Sequence, residues 1–135
     1  MFLGNTMSTA SGSAKDLKIG KFVVIDGEPC KVVELQSSAP GKHGAAKMRI
    51  TAVGIFDDTK RTLLKPSDGD IDVPIVERKV VQIIAVSGNI AQVMDPKTYE
   101  VYDLAVLDEL KNEVEAGKEV EIMETMGRRM MIRVR

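Results

Sequence analysis

The sequence predicts an all-β protein made of two small barrels, and three observations lead to this fold class. Short runs of β-branched residues recur along the chain and are separated by turn-forming glycine, proline, asparagine and aspartate. The chain has 135 residues, enough for one ordinary domain or for two barrels of about 60 to 70 residues each. Hydrophobic residues make up 44% of it and charged residues 29%, as in soluble globular proteins, and no apolar run is long enough to span a membrane.

The first half of the chain reads as closely spaced strands. The runs FVVI and CKVVEL flank Asp26 and Gly27, which together are a strong signal for a β-hairpin. Farther along, in MRITAVGIF, Met48, Ile50 and Ala52 recur at every second position, which predicts a strand with one buried face. Because this half has one long loop between strands and no helical pattern, it suits a small SH3-like barrel.

The proline in IDVPIVER, which follows the polar breaker PSDGD, marks a domain boundary near Pro74. Proline cannot donate a hydrogen bond to a central strand ladder, so a continuous sheet through this position is unfavourable. We therefore predict a first barrel over residues 18–73 and a second over 74–135. The stretch 1–17 has no basic residue before Lys15 and no apolar core of a secretory signal, and we expect it to be a flexible tail.

The second half predicts five strands and one short helix. VVQIIAV, IAQVM and YEVY are followed by Leu107, Leu110 and Val114 at helical spacing, with Asp103 as a candidate cap and Gly117 as the end of the turn. VEIME and MMIRV then read as two closing strands. Five strands with a helix between the third and the fourth is the order of an OB-fold.

The segment SSAPGKHGAAK, residues 37–47, predicts a long exposed loop. Pro40 fixes its backbone, Gly41 and Gly44 relax it, and no helix or strand period passes through it. Loops in small barrels usually run about 2 to 5 residues, and longer ordered loops tend to be functional. Lys42 lies at the centre of this loop, either as an ordinary solvated lysine or as a functional cation.

The loop stands out by its local charge. Between Glu34 and Asp57 the only formally charged residues are Lys42, Lys47 and Arg49, in a chain whose net charge is −1. A nearly neutral chain has little sequence-independent attraction to nucleic acid. Any contact with phosphates must therefore come from local patches such as this one.

Other sites of chemistry are not indicated by the sequence. His43 is the only histidine and has no nucleophile elbow to work with. A phosphate-binding P-loop at Gly41 fails at Gln36, where the motif needs glycine, and at His43, where it needs serine or threonine. Cys30, the only cysteine, lies in a strand-like run and can form no internal disulfide, which indicates a buried thiol in a reducing compartment.

Four segments together resemble the archaeal and eukaryotic initiation factor 5A family, the hypusine-containing translation factors. They are IDGEPCKVVEL, PGKHGAAKMRI, VGIFDDTKR and DVPIVER, and the resemblance extends from about Lys18 to the C-terminus. It implies an N-terminal SH3-like barrel and a C-terminal OB-fold. Ala45 and Ala46 after GKHG, Pro40 in place of the usual threonine, and an end at the last strand point to an archaeal-type member.

The resemblance also implies a covalent modification. In this family the lysine of GKHG receives an aminobutyl group from spermidine, giving deoxyhypusine and in many lineages hypusine, and Lys42 occupies that position. It implies no metal and no cofactor other than this covalent group. The other residues of the modification loop are Pro40, Gly41, His43, Gly44 and Lys47, and the resemblance implies that Gly41, His43 and Gly44 contact deoxyhypusine synthase.

The family's function is implied in the same way. Its members bind the ribosome beside the peptidyl-tRNA and promote peptide bond formation at stalled sites such as consecutive prolines. We expect a cytoplasmic, monomeric, non-enzymatic factor whose partners are the ribosome, the peptidyl-tRNA and deoxyhypusine synthase. The lengthened Lys42 would reach RNA phosphates as a thin dication, and such contacts position a partner without reading its sequence.

Three other functions stay open at the level of sequence. An unmodified OB-fold module could bind single-stranded RNA directly, although the chain has only five aromatic residues for base stacking. A relative of bacterial elongation factor P would need a further domain, for which 135 residues leave no room. An enzyme is the third alternative. The arginines that could contact RNA are Arg49, Arg128, Arg129, Arg133 and Arg135.

Overall fold

The computed structural model describes residues 8–38 and 46–135. Its regular structure is almost entirely β, and the chain divides into two compact units, Met1–Ile75 and Val76–Arg135. The predicted all-β class with two small barrels is confirmed. The division falls one residue after Pro74, where the sequence places a boundary.

The first unit contains a four-stranded antiparallel sheet and a two-stranded one. The larger sheet has the order β2-β3-β4-β5, and the smaller pairs β1 with β6. Asp26 and Gly27 both have positive φ, 52° and 77°, as a tight primed turn between β2 and β3 requires, so the predicted hairpin is confirmed. The strands are β1 Thr9–Ser13, β2 Phe22–Ile25, β3 Glu28–Ser38, β4 Lys47–Gly54, β5 Lys60–Pro66 and β6 Asp70–Pro74.

The flexible tail predicted over residues 1–17 is wrong for its described part. Thr9–Ser13 forms β1 and pairs with β6, and a 3₁₀ helix, Ala14–Asp16, follows it. This segment is held because Ala14 is fully buried in the core and Leu17 nearly so. Residues 1–7 lie outside the described part of the chain.

The core of the first unit lies inside its curved sheet. The strand predicted from alternation, β4, places Met48, Ile50 and Ala52 in this core, as expected from period two. Cys30 is also buried there, as predicted, and desolvation raises the pKa of its thiol. The thiol is therefore held in its neutral form at ordinary pH.

The second unit is a five-stranded antiparallel sheet. Its strands are β7 Val76–Ser87, β8 Ile90–Met94, β9 Val101–Ala105, β10 Glu119–Thr125 and β11 Arg128–Val134. In the sheet they have the order β11-β10-β7-β8-β9, and β9 approaches β11 as the sheet curls. Along the chain, a 3₁₀ helix, Asp108–Leu110, lies between the third strand, β9, and the fourth, β10, so the predicted OB-fold order is confirmed.

The local details of the predicted helix differ from the structure. Only one 3₁₀ turn forms, with turns after it, and Asp103 lies within β9 instead of capping a helix. Leu107, Leu110 and Val114 do pack on the core, so their spacing reflects burial by a short turn and not an α-helix. No helix in the described ranges is long and apolar enough to cross a membrane.

Candidate functional site

The predicted modification loop joins β3 to β4. The ladder between these strands ends at the pair Ser38 and Lys47, and the Ser67 amide donates to the Ala46 carbonyl at 2.8 Å, which fixes the second end of the loop. The loop is thus carried by a rigid hairpin. The predicted site residues Pro40, Gly41, Lys42, His43 and Gly44 lie outside the described residues.

A β-bulge determines which side chains of β3 share the face next to the loop. The register shifts between Val32 and Glu34, and beyond the shift Leu35 pairs with Ile50 on the core side while Gln36 pairs with Arg49 on the outside. A bulge inserts one unpaired residue and so reverses the alternation of the strand. As a result, Lys31 before the bulge lies on the same face as Gln36 after it.

The outward side chains of β3, β4 and β5 form one surface, which we call the outer β3–β5 face. It carries four cations, from Lys31, Lys47, Arg49 and Lys60, against the single carboxylate of Glu34. The other residues of the face are Gln36, Ser38, Thr51, Val53, Thr62, Leu64 and Pro66.

The cations of this face are exposed and lack acidic partners. Among the described residues, no carboxylate lies within ion-pair distance of Lys47 or Arg49, and the same is true of Lys31 and Lys60. Beside Arg49, the side chain of Leu64 is 70% exposed. A shallow depression of about 450 Å³ is lined by Gln36, Ser37, Ser38, Lys47, Met48, Arg49 and Leu64.

Two of the arginines predicted to contact RNA are paired with carboxylates of the second unit. The guanidinium of Arg129 stacks on the Tyr102 ring, 3.9 Å from its centroid, and pairs with Glu124 and, at 3.3 Å, with Glu100. Its hydrogen bond to Glu124 raises the pKa of Arg129. Arg133 pairs with Glu121 at 3.1 Å. These contacts give Arg129 in particular a structural role.

The acidic side chains around Arg129 also stabilise local structure. Lys79 donates to Glu124 at 2.8 Å, which raises the pKa of Lys79. Asp95 accepts hydrogen bonds from the amides of Lys97 and Thr98 at 2.8 and 3.2 Å, and these hold the pKa of Asp95 below its usual range. In the described ranges, no group of three His, Cys, Asp or Glu side chains is placed to hold a metal ion.

Arg61 of the first unit is paired, and it lies opposite the buried Ala52, on the inward side of β5. Arg61 donates to both carboxylate oxygens of Asp57, at 3.1 and 2.7 Å, and this contact, followed by the Thr59 amide, lowers the pKa of Asp57 to about 2. Gly54 leaves room for the pair, because a Cβ there would lie 1.9 Å from Asp57 Oδ1. The pair closes the turn between β4 and β5.

The structure thus assigns the cations differently from the sequence. Lys47, at the end of the loop, and Arg49 lie together on the outer β3–β5 face, whereas Arg128, Arg129 and Arg133 lie on β11 of the other unit. Sequence reasoning missed Lys31 and Lys60. The alternation of Lys31 with the buried Cys30 and Val32 was a usable signal, but the bulge at Val33 concealed the relation of Lys31 to the face. Lys60 has no buried neighbour in β5 and gave no such signal.

Two small β-barrels follow one another along the chain, and the sequence between β3 and β4 of the first is basic, which fits the class of two-barrel translation factors. Residues 7–69 match the family model "Translation initiation factor 5A-like, N-terminal", and residues 75–135 match "Eukaryotic elongation factor 5A hypusine, DNA-binding OB fold". The chain belongs to the translation initiation factor 5A family.

Individual relatives agree with this assignment. Translation initiation factor 5A of Archaeoglobus fulgidus is 52% identical over 120 residues, covering 89% of this chain and 94% of that protein. The homologue from Korarchaeum cryptofilum is 46% identical, covering 96% and 98%. A solved structure, "Eukaryotic translation initiation factor 5A from Methanococcus jannaschii", superposes with a TM-score of 0.89 at 38% identity and covers 95% of this chain and 96% of that one.

Proposed function

We propose that this chain is a non-enzymatic, ribosome-binding translation factor of the cytoplasm that is activated by conversion of Lys42 to deoxyhypusine or hypusine. Membership of the initiation factor 5A family is the observation that carries the proposal. Deoxyhypusine synthase would transfer the aminobutyl group of spermidine to the Lys42 amine. Within the modification loop, Gly41, His43 and Gly44 would contact that enzyme.

The geometry of the hairpin supports this role. The register from Ser38–Lys47 back to Cys30–Gly54 makes β3 and β4 a firm base for the loop between them. A side chain lengthened by an aminobutyl arm carries two protonated amines and can reach where a folded barrel cannot. On the ribosome, this dication would steady the peptidyl-tRNA so that the reacting groups meet in a productive geometry, for example at consecutive prolines.

The modification is tested by intact-mass and peptide mass measurements on the protein from its native cells. We expect Lys42 to carry an aminobutyl or hydroxylated aminobutyl group. Lys42→Arg keeps a cation but cannot be modified, so it should lose stimulation of polyproline synthesis in a reconstituted translation system. Lys15→Arg changes an exposed lysine that belongs neither to the loop nor to the outer β3–β5 face. It is the matched control and should keep both modification and activity.

The results separate clearly. An unmodified Lys42 in native material contradicts the proposal, and so does a Lys42→Arg variant that stimulates polyproline synthesis as well as the modified protein. Loss of activity in both arginine variants would indicate that the protein is sensitive to any lysine-to-arginine change, and would remove the special role of Lys42.

A further inference from the structure

We propose that the outer β3–β5 face binds the backbone of a single-stranded RNA segment, so that the protein contacts RNA through a surface of its first barrel as well as through the modification loop. The proposed function is used only to name RNA as the partner. The surface itself is defined by described residues and does not depend on the state of Lys42.

The outer β3–β5 face carries an excess of positive charge. Four cations, Lys31, Lys47, Arg49 and Lys60, share the face with one carboxylate, that of Glu34. Glu34 accepts a hydrogen bond from Gln36 at 3.2 Å and lies within ion-pair distance of none of these cations among the described residues. A chain of net charge −1 therefore concentrates positive charge on one surface. Local patches of this kind attract phosphates even where the total charge does not.

The second argument concerns spacing and exposure. Lys47 and Arg49 alternate along β4, so their side chains leave the sheet about 7 Å apart on the same side. Both are exposed, and on the neighbouring strands they face Ser38 and Gln36. Two adjacent cations with hydroxyl and amide groups beside them can follow a flexible phosphate backbone.

The third argument favours a single strand over a duplex. Leu64 lies directly across from Arg49, is 70% exposed, and lines a depression of about 450 Å³ next to Gln36 and Lys47. An unstacked base can rest on such an apolar side chain while its phosphate meets the cations, whereas the bases of a duplex are stacked and unavailable. Gln36 and Ser38 offer hydrogen-bonding groups at the rim.

The test measures binding of a labelled short single-stranded oligouridine to the full-length chain by fluorescence anisotropy, with Lys42 shown by intact mass to be unmodified. The double variant Lys47→Gln/Arg49→Gln removes two cations of the face. Because each phosphate contact with a single strand contributes about 0.7 to the log–log salt slope, we expect the slope to become shallower by about 1.4. Affinity at low salt should fall several-fold.

Lys15→Gln/Lys18→Gln is the matched control, because it removes two exposed cations of the same unit that do not belong to the face. It should change neither the slope nor the affinity appreciably. Leu64→Ala should weaken binding with an unchanged salt slope, since it removes apolar surface and no charge. Unchanged thermal unfolding of all three variants shows that the fold is intact.

Several results would overturn the inference: no RNA binding by the native chain, equal losses in both double variants, or an unchanged slope in Lys47→Gln/Arg49→Gln. If RNA binding is unchanged but modification of that variant by purified deoxyhypusine synthase slows, the face binds a protein and not RNA. All RNA measurements use unmodified protein, so they do not depend on whether Lys42 is modified in native material. Failure of RNA binding would likewise leave the proposed modification of Lys42 unaffected.

Discussion

In the second unit Lys79, Arg129 and Arg133 pair with carboxylates, whereas among the described residues the cations of the outer β3–β5 face do not. Arg129 pairs with Glu124 and Glu100, and Lys79 pairs with Glu124. Arg49 and Lys47 of the first unit lie on an open sheet surface. Both units are small antiparallel β-structures, and they differ in whether the cations on the sheet surface are paired with carboxylates.

This difference indicates which surface can bind an anionic partner. A cation held by carboxylates contributes to local structure and would have to leave them to meet a phosphate. An exposed unpaired cation contributes little to stability, and when it neutralises a phosphate, counterions condensed on the nucleic acid are released. The presence of arginines in an OB-fold is therefore a poor guide to RNA binding, and the pairing state of each cation is a better one.

The largest expected effect concerns Arg61, the paired cation of the first unit. Gly54→Ala places a Cβ 1.9 Å from Asp57 Oδ1 and 2.8 Å from Arg61 Nη1, so the pair must move or the strand must shift. Overpacking of this kind typically costs about 1 to 3 kcal/mol in the free energy of unfolding, measured by chemical denaturation.

A double-mutant cycle makes this prediction specific. In the Asp57→Ala background the nearest obstructing atom is gone, so Gly54→Ala should cost clearly less than in the native chain. An equal cost in both backgrounds would show that the glycine is needed for a reason other than the ion pair.

A smaller loss of stability is expected when the paired Arg129 is replaced, and a still smaller one when Arg49 is replaced. Arg129→Ala removes the stacking on Tyr102 and the contacts with Glu124 and Glu100, and should lower the free energy of unfolding by about 1 kcal/mol. Arg49→Ala removes no contact of this kind among the described residues and should change the free energy of unfolding by less than about 0.5 kcal/mol. Similar losses in the two variants would remove the distinction between the barrels.

The sequence predicted those features that depend on local pattern. The buried face of β4 follows from Met48, Ile50 and Ala52, because a period of two is intrinsic to a strand. β1 was missed because Thr9–Ser13 consists of small residues with weak β-propensity, and its strand forms only through pairing with β6, a distant part of the chain.

At the candidate site, too, the features that depend on contacts between strands could not be predicted from local sequence pattern. The loop is visible in the sequence through its glycines and its proline, but the bulge at Val33 determines which lysines lie beside it, and bulges have no reliable sequence signal. The pairing of Arg129 with Glu100 joins β11 to the residue just before β9. Only the closed sheet brings these two side chains together, so Arg129 looks the same as an unpaired arginine in the sequence.

The smallest expected effect is the pH dependence of the Asp57–Arg61 pair. The pKa of Asp57 is lowered from 3.8 to about 2 in the folded protein, so the stabilisation it provides is present above its unfolded pKa and is lost as the pH falls toward about 2. The difference in free energy of unfolding between the native chain and Asp57→Asn should therefore shrink between about pH 4 and pH 2.

Asp58→Asn is the matched control for this titration. Asp58 adjoins Asp57, is exposed, and has a φ of 56°, which asparagine also tolerates. It removes one negative charge of the same turn and no ion pair among the described residues, so the comparison isolates the contact between Asp57 and Arg61. If both variants converge on the native chain equally as the pH falls, the effect belongs to the general charge of the turn, and the Asp57–Arg61 pair is not the one that stabilises it.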